Sequence, residues 1–258
     1  MRTKTDKGST ILVPAGLDRE NLERFYADLE ISLKESPKQI TLECSLLEHA
    51  TSAHINILWE AQSRCEQAGI SMRLLSMGYG LERVLKILDL YDLFSIEPAA
   101  AGVRPETQED HSVGDRPPVL ECEFKLTVEE ITDILAKLDG YLLNLGLPAT
   151  YAFDLKTVFY EVATNIRRHG GLKEDDTVAF KAILGQEEIT MRFVDAGRPF
   201  DPTAHKSRFD PGRAIKVKQS NGIGLTMVRR LVDKISYERV GNRENVLVLG
   251  KKLSPGWR

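Results

Sequence analysis

Cysteine, net charge and long apolar runs are all in short supply in this chain, and each shortage removes a class of protein. The three cysteines, Cys44, Cys65 and Cys122, are odd in number, far apart and outside any CxxC spacing. A disulfide framework or zinc site is therefore not expected, and a reducing compartment, the cytoplasm, is. The formal net charge is -3, with no long basic stripe, so neither direct nucleic-acid binding nor attraction to a membrane surface is expected. No apolar run approaches the ~20 residues of a spanning helix. The polar stretch Met1–Thr10 lacks the apolar segment of a signal peptide. Two nucleotide signatures are missing as well, the GxxxxGK[ST] loop and the GxGxxG fingerprint.

What is present is an ordinary globular balance: 42% hydrophobic and 28% charged residues, too apolar for a disordered chain. At roughly 100–200 residues per domain, the 258 residues suggest two domains. The clearest break is Glu97–Pro118, rich in Pro, Ala, Gly and charge. The expected division is a domain over 1–97, a linker over 98–117 and a domain over 118–258. In the first part, strand patterns (Ser9–Val13, Ile40–Cys44, Ile70–Leu75) alternate with helical ones. One helix opens at Asp18, one runs from Thr51-Ser52 to Ala68, and one covers Gly80–Leu90. Such alternation predicts an α/β layer domain. In the second part, Val119–Leu126 reads as a strand, then Val128–Leu145 and Phe153–His169 as helices. Hairpin strands follow at Thr177–Leu184 and Glu188–Val194, then a helix over Gly224–Ile235, then strands Ser236–Val240 and Asn245–Leu253. Local hairpins with separate helices predict an α+β class.

Three segments carry chemistry. On the helix ending at His169, the residues Glu161, Asn165 and His169 fall at i, i+4 and i+8, a polar stripe bordering the apolar face. Alone, it also reads as the rim of a solvated helix. Asp195-Ala-Gly-Arg-Pro-Phe-Asp-Pro202 follows a strand. An aspartate there can accept a hydrogen bond from an amino group such as adenine N6, and Gly197 permits close approach. Alone, it is also a plain turn. Asn221-Gly-Ile-Gly-Leu-Thr-Met-Val228 places two glycines before a helix, where bare N–H groups can bind phosphate and Thr226 can add a hydroxyl. Alone, it is an ordinary glycine-rich helix start.

The order and context of the three are more specific. E-x-x-x-N-x-x-x-H-G, D-x-G-x-P-F-D-P and G-x-G-L, with the ending Tyr237-Glu-Arg…Gly241-Asn…Val246-Leu-Val-Leu…Lys251-Lys-Leu253, resemble the GHKL ATPase superfamily. Within it they resemble the anti-sigma-factor serine kinases of bacterial partner switching. The resemblance implies a two-layer α+β (Bergerat-type) domain with ATP and Mg²⁺ as cofactors. It implies Glu161 as general base, Asn165 as the metal ligand, and Asp195 with Gly197 at the adenine. It places Gly222, Gly224, Leu225 and Thr226 on the phosphate side and His169 beside the site. Thr203–Ser220, with Lys206, Arg208, Arg213, Lys216 and Lys218 against Asp210, resembles the family's ATP lid. Its positive charge suits a triphosphate.

The N-terminal half resembles a STAS domain through Leu42-Glu-Cys-Ser-Leu-Leu-Glu-His-Ala-Thr-Ser-Ala-His-Ile-Asn56 and Ser76…Leu85-Lys-Ile-Leu-Asp-Leu-Tyr-Asp-Leu-Phe94. Phosphorylated family members read Asp-Ser-Ser/Thr-Gly-Leu where this chain has Thr51-Ser52-Ala53-His54-Ile55, so Ser52 is expected to be an N-cap rather than a phosphosite. The resemblance implies a serine/threonine protein kinase acting on a separate STAS-domain anti-sigma-factor antagonist. A sigma factor is the second candidate partner, and a homodimer is in keeping with the family. The alternative is a non-catalytic, nucleotide-gated binding module whose STAS half docks partners. A histidine kinase is disfavoured, since His49, His54 and His111 do not lie on a dimerising helix before the ATPase part.

Overall fold

The computed structural model describes residues 2–5, 8–47, 49–97, 119–204 and 222–254. The expected linker over 98–117, Asn221 and the expected lid cations Lys206, Arg208, Arg213, Lys216 and Lys218 lie outside the described residues. The described residues through Glu97 belong to one compact unit, and those over 119–204 and 224–254 to another.

The N-terminal unit runs β1 (Arg2–Thr5), β2 (Gly8–Leu12), α1 (Arg19–Glu35), β3 (Gln39–Glu43), α2 (Ser52–Gln67), β4 (Ser71–Leu75), α3 (Tyr79–Ile87), a 3-10 turn at Tyr91–Leu93, and β5 (Ser95–Ile96). The sheet order is β1-β2-β3-β4-β5, antiparallel between β1 and β2 and parallel thereafter. Its central strands contribute Ile40, Leu42 and Leu74, which share one face of the sheet and have no exposed surface. Asp18 starts α1 by accepting from the Asn21 N–H at 2.9 Å, and Phe25, Leu29 and Ser32 give that helix its buried face. The N-cap of α2 is Thr51, and Ser52 is its first helical residue rather than its cap.

The cap of α2 is completed by His54. Its Nε2 lies 3.1 Å from the Ala15 carbonyl, which can only accept, so Nε2 carries the proton. Nδ1 is then the acceptor, and both the Thr51 N–H (3.1 Å) and the Thr51 hydroxyl (2.8 Å) donate to it. Burial pushes the imidazole pKa down from its ordinary 6.5, against the two backbone carbonyls of Ala15 and Pro14, which raise it.

The C-terminal unit runs β6 (Val119–Lys125), α4 (Val128–Asn144), α5 (Ala149–His169), β7 (Thr177–Leu184), β8 (Glu188–Asp195), α6 (Ile223–Leu231), β9 (Lys234–Val240) and β10 (Glu244–Lys252). All its strand pairs are antiparallel, in the order β6-β7-β8-β10-β9. Phe159 of α5 meets Phe124, Phe180 and Phe193 from three strands, with ring centroids 4.9–5.8 Å apart, and this cluster seats α5 on the sheet. Two left-handed residues, Gly241 and Asn242, turn β9 into β10. Lys251 of β10 reaches Asp154 of α5 at 2.9 Å and donates to the Leu231 carbonyl, at the end of α6, at 2.7 Å. Among the described residues, no helix is long and apolar enough to cross a membrane.

Candidate functional site

The polar stripe of α5 is graded rather than uniformly half-buried. Glu161 is 2% exposed, Asn165 is half-buried and His169 is exposed. The gradient arises because the phenylalanine cluster holds the middle of α5 against the sheet while its last turn runs clear. Among the described residues, none hydrogen-bonds the Asn165 side chain, which leaves its amide oxygen for a ligand.

The loop after β8 sits directly on the end of that helix. The Arg198 N–H donates to the Gly170 carbonyl at 2.7 Å. A Cβ placed on Gly197 would lie 2.8 Å from the Gly170 carbonyl oxygen and 2.8 Å from Asp195 Oδ1. Only glycine fits there. The Arg198 side chain in turn covers Gly171, whose φ of +66° also suits glycine. The first two segments expected from the sequence are therefore joined by backbone contact.

Asp195 is buried, 8% exposed. Its Oδ1 accepts from the Gly197 N–H at 2.8 Å and from Asn245 Nδ2 at 2.8 Å. Among the described residues, no donor reaches its Oδ2. The carboxylate thus has one oxygen anchored by the protein and one open to an incoming donor.

The third segment is partly described. Gly222 is exposed with φ +96°, a conformation that favours glycine, just before α6 begins. Gly224 and Leu225 are half-buried in the first turn of α6, and Thr226 is buried at 5% exposure. From the same helix, Arg229 Nη2 donates to the Pro202 carbonyl, tying α6 to the segment that follows Asp195.

The C-terminal half thus carries a carboxylate with one open oxygen, a glycine-led helix start, and a helix bearing a carboxylate and an amide. Residues 124–251 match the family model of the histidine kinase-like ATPase domain, and residues 2–103 match that of the STAS domain. The chain joins a STAS domain to a histidine kinase-like ATPase domain. The antiparallel sheet with helices of the ATPase half is the two-layer GHKL arrangement, and the mainly parallel sheet of the STAS half is the α/β arrangement expected for it. No curated protein matches the chain. The SiaB-SiaC complex from Pseudomonas aeruginosa is similar to it at 15% identity and a TM-score of 0.42, over 52% of this chain and 89% of that one. The RsbU and RsbW domains of Rv1364c from Mycobacterium tuberculosis are similar at 18% identity and a TM-score of 0.38. That match spans 53% of this chain and 32% of that one.

The ATPase family implies ATP, and the residues present fit it. The open Oδ2 of Asp195 suits the amino group of adenine, and Gly197 keeps the approach clear of a side chain. Among the described residues, no group of three or more His, Cys, Asp or Glu is placed to hold a metal.

The sequence reading missed Tyr237, Arg239 and Asn245 as parts of the site. A period-2 count over β9 and β10 holds the missing signal: Arg239 and Asn245 share the more buried parity with Ile235, Tyr237, Leu247 and Leu249.

Proposed function

We propose that the ATPase half binds ATP and transfers its γ-phosphoryl group to a serine or threonine of a separate STAS-domain antagonist, as the kinase arm of an anti-sigma-type partner switch. A sigma factor is the second partner in this reading. The observation that carries it is the seating of the Asp195–Gly197 turn on the end of the helix bearing Glu161 and Asn165. In the proposed roles, Asp195 reads the base with Gly197 beside it, and Gly222, Gly224, Leu225 and Thr226 face the phosphates. His169 lies at the rim. Asn165 would hold Mg²⁺, which supplies charge neutralisation when bound. Glu161 accepts the proton of the attacking hydroxyl; phosphoryl transfer otherwise needs mainly positioning. The proposed division is a STAS domain over 1–97, a linker over 98–117 and the kinase domain over 118–258.

The STAS half serves recruitment or regulation in this reading, not as the phosphoacceptor. The Thr51 hydroxyl is engaged by His54, and Ala53 stands next to Ser52 where phosphorylated relatives carry a second hydroxyl.

The deep burial of Glu161 favours a second reading, a nucleotide-gated binding module without transfer chemistry. A pull-down from a lysate with ATP or ADP, followed by phosphosite mapping on the captured STAS protein, separates the two. The kinase reading expects a phosphoserine or phosphothreonine formed by the unaltered chain. It expects Glu161→Gln to lower that transfer at least ~100-fold, within the span attributed to a positioned acid or base, while ATP binding is kept. Partner capture that depends on ATP, with no phosphate transferred, selects the binding module.

A further inference from the structure

Asp195, Asn245 and Arg239 form one row across three strands: Asn245 is paired with Asp195 of β8 on one side and with Arg239 of β9 on the other. Residues directly opposite in an antiparallel sheet project from the same face. Hydrogen bonds link Arg239 to Asn245 and Asn245 to Asp195. Arg239 Nη1 donates to Asn245 Oδ1 at 2.7 Å and to the Gly197 carbonyl at 2.9 Å. The Tyr237 hydroxyl donates to the same Asn245 Oδ1 at 2.7 Å. Asn245 Nδ2 donates to Asp195 Oδ1 at 2.8 Å and lies 3.3 and 3.2 Å from the carbonyls of Gly197 and Arg198.

We infer that Tyr237, Arg239 and Asn245 are positioning residues that set the base selectivity of the site by fixing which way the Asn245 amide faces. This rests on the ATP-binding reading above. An asparagine amide has an oxygen end and a nitrogen end of nearly equal size, and only its partners decide between them. Arginine can donate but never accept, so Arg239 compels the oxygen to face it, with Tyr237 as second donor. The nitrogen must then face Asp195. Every hydrogen-bonding position of the amide is used inside the protein, so Asn245 acts on a ligand through Asp195 alone.

With Oδ1 held by Asn245 and Gly197, the carboxylate cannot rotate, and Oδ2 stays directed at the ligand. A fixed carboxylate oxygen rewards a base edge that presents an amino group and repels one that presents a carbonyl. A site built to hydrogen-bond one group rejects the analogue lacking it far better than an apolar pocket can. Without the amide donor, the carboxylate swings or takes up water, and the two edges are told apart less well.

The test compares dissociation constants of the full chain for ATP and for inosine triphosphate, whose base carries a carbonyl where adenine carries the amino group. The unaltered chain should prefer ATP. Asn245→Asp keeps the shape and accepts from Tyr237 and Arg239 but, when ionised, cannot donate to Asp195 and sets a like charge against its Oδ1. Its ATP preference should fall about tenfold, one decade being ~1.4 kcal/mol, while the inosine triphosphate constant changes less than threefold. Tyr237→Phe removes one hydroxyl and should lower the preference about threefold; it carries the test if circular dichroism shows Asn245→Asp unfolded. The inference is overturned if the preference survives in these variants, or if both nucleotides weaken together, as a purely structural role would have it. Failure of the unaltered chain to bind either nucleotide instead overturns the underlying reading, and this inference with it.

Discussion

In the STAS half the buried cluster around His54 closes on itself. His54 accepts from both the backbone and side chain of Thr51 and donates to Ala15, and no ring nitrogen is left over. In the ATPase half the polar row Arg239–Asn245–Asp195 ends on a carboxylate whose second oxygen meets no donor among the described residues. Buried polar atoms are costly unless paired. A closed set therefore reads as architecture, and a set that ends open reads as a place where something else supplies the last bond.

Substitutions can break or sharpen this contrast. The largest expected effect is on the scaffold of the open site. Phe159→Ala removes a ring packed against three others and should cost about 3–5 kcal/mol in denaturant unfolding; a loss below about 1 kcal/mol would show that the cluster does not hold α5 in place. Next comes Gly197→Ala. The added methyl meets two oxygens at 2.8 Å, so ATP affinity measured by calorimetry should fall about 100-fold, ~2.7 kcal/mol. Unchanged affinity would place the base elsewhere. In the closed set, Thr51→Ala removes the α2 cap and should cost about 1 kcal/mol of stability with no effect on nucleotide affinity.

The smallest effect is a pH dependence. The folded pKa of His54 lies below its unfolded value of about 6.5, so folding favours the neutral ring. Its contribution is complete above pH 6.5 and is lost as pH falls from there through the depressed folded value, because the unfolded chain takes up the proton first. His54→Gln should flatten this part of the stability-versus-pH curve. An identical curve for variant and parent would mean that the ring is not held neutral.

Much of this was legible in the chain because local chemistry marks it. Asp18, Thr51 and Thr127 announce their helices, and Gly197 stands where a Cβ would meet two oxygens. The misses were non-local. β1 and β5 are short edge strands without a periodic apolar pattern, and pairing alone defines them. Helix α5 begins at Ala149, four residues before the expected Phe153, with Pro148 as its N-cap residue. Helix α6 stops at Leu231 rather than Ile235, since Asp233 bonds to the Gly250 carbonyl and the next residues join β10. The Asp195–Asn245–Arg239 row joins positions about 50 residues apart in sequence, which only the sheet register brings side by side.

Strand β10 carries two anchors of the same parity: Asn245 near its start, bracing the base-reading carboxylate, and Lys251 near its end, holding α6 and Asp154. At ~3.4 Å per residue they stand about 20 Å apart. A strand is a rigid ruler whose markings alternate between faces. Deleting a single residue midway between the anchors would shorten it by one mark, and whichever anchor kept its face, the other would turn outward. Base recognition and the grip on the glycine-led helix are therefore gauged by one straight piece of backbone, which tolerates exchange of its side chains far better than any change in its length.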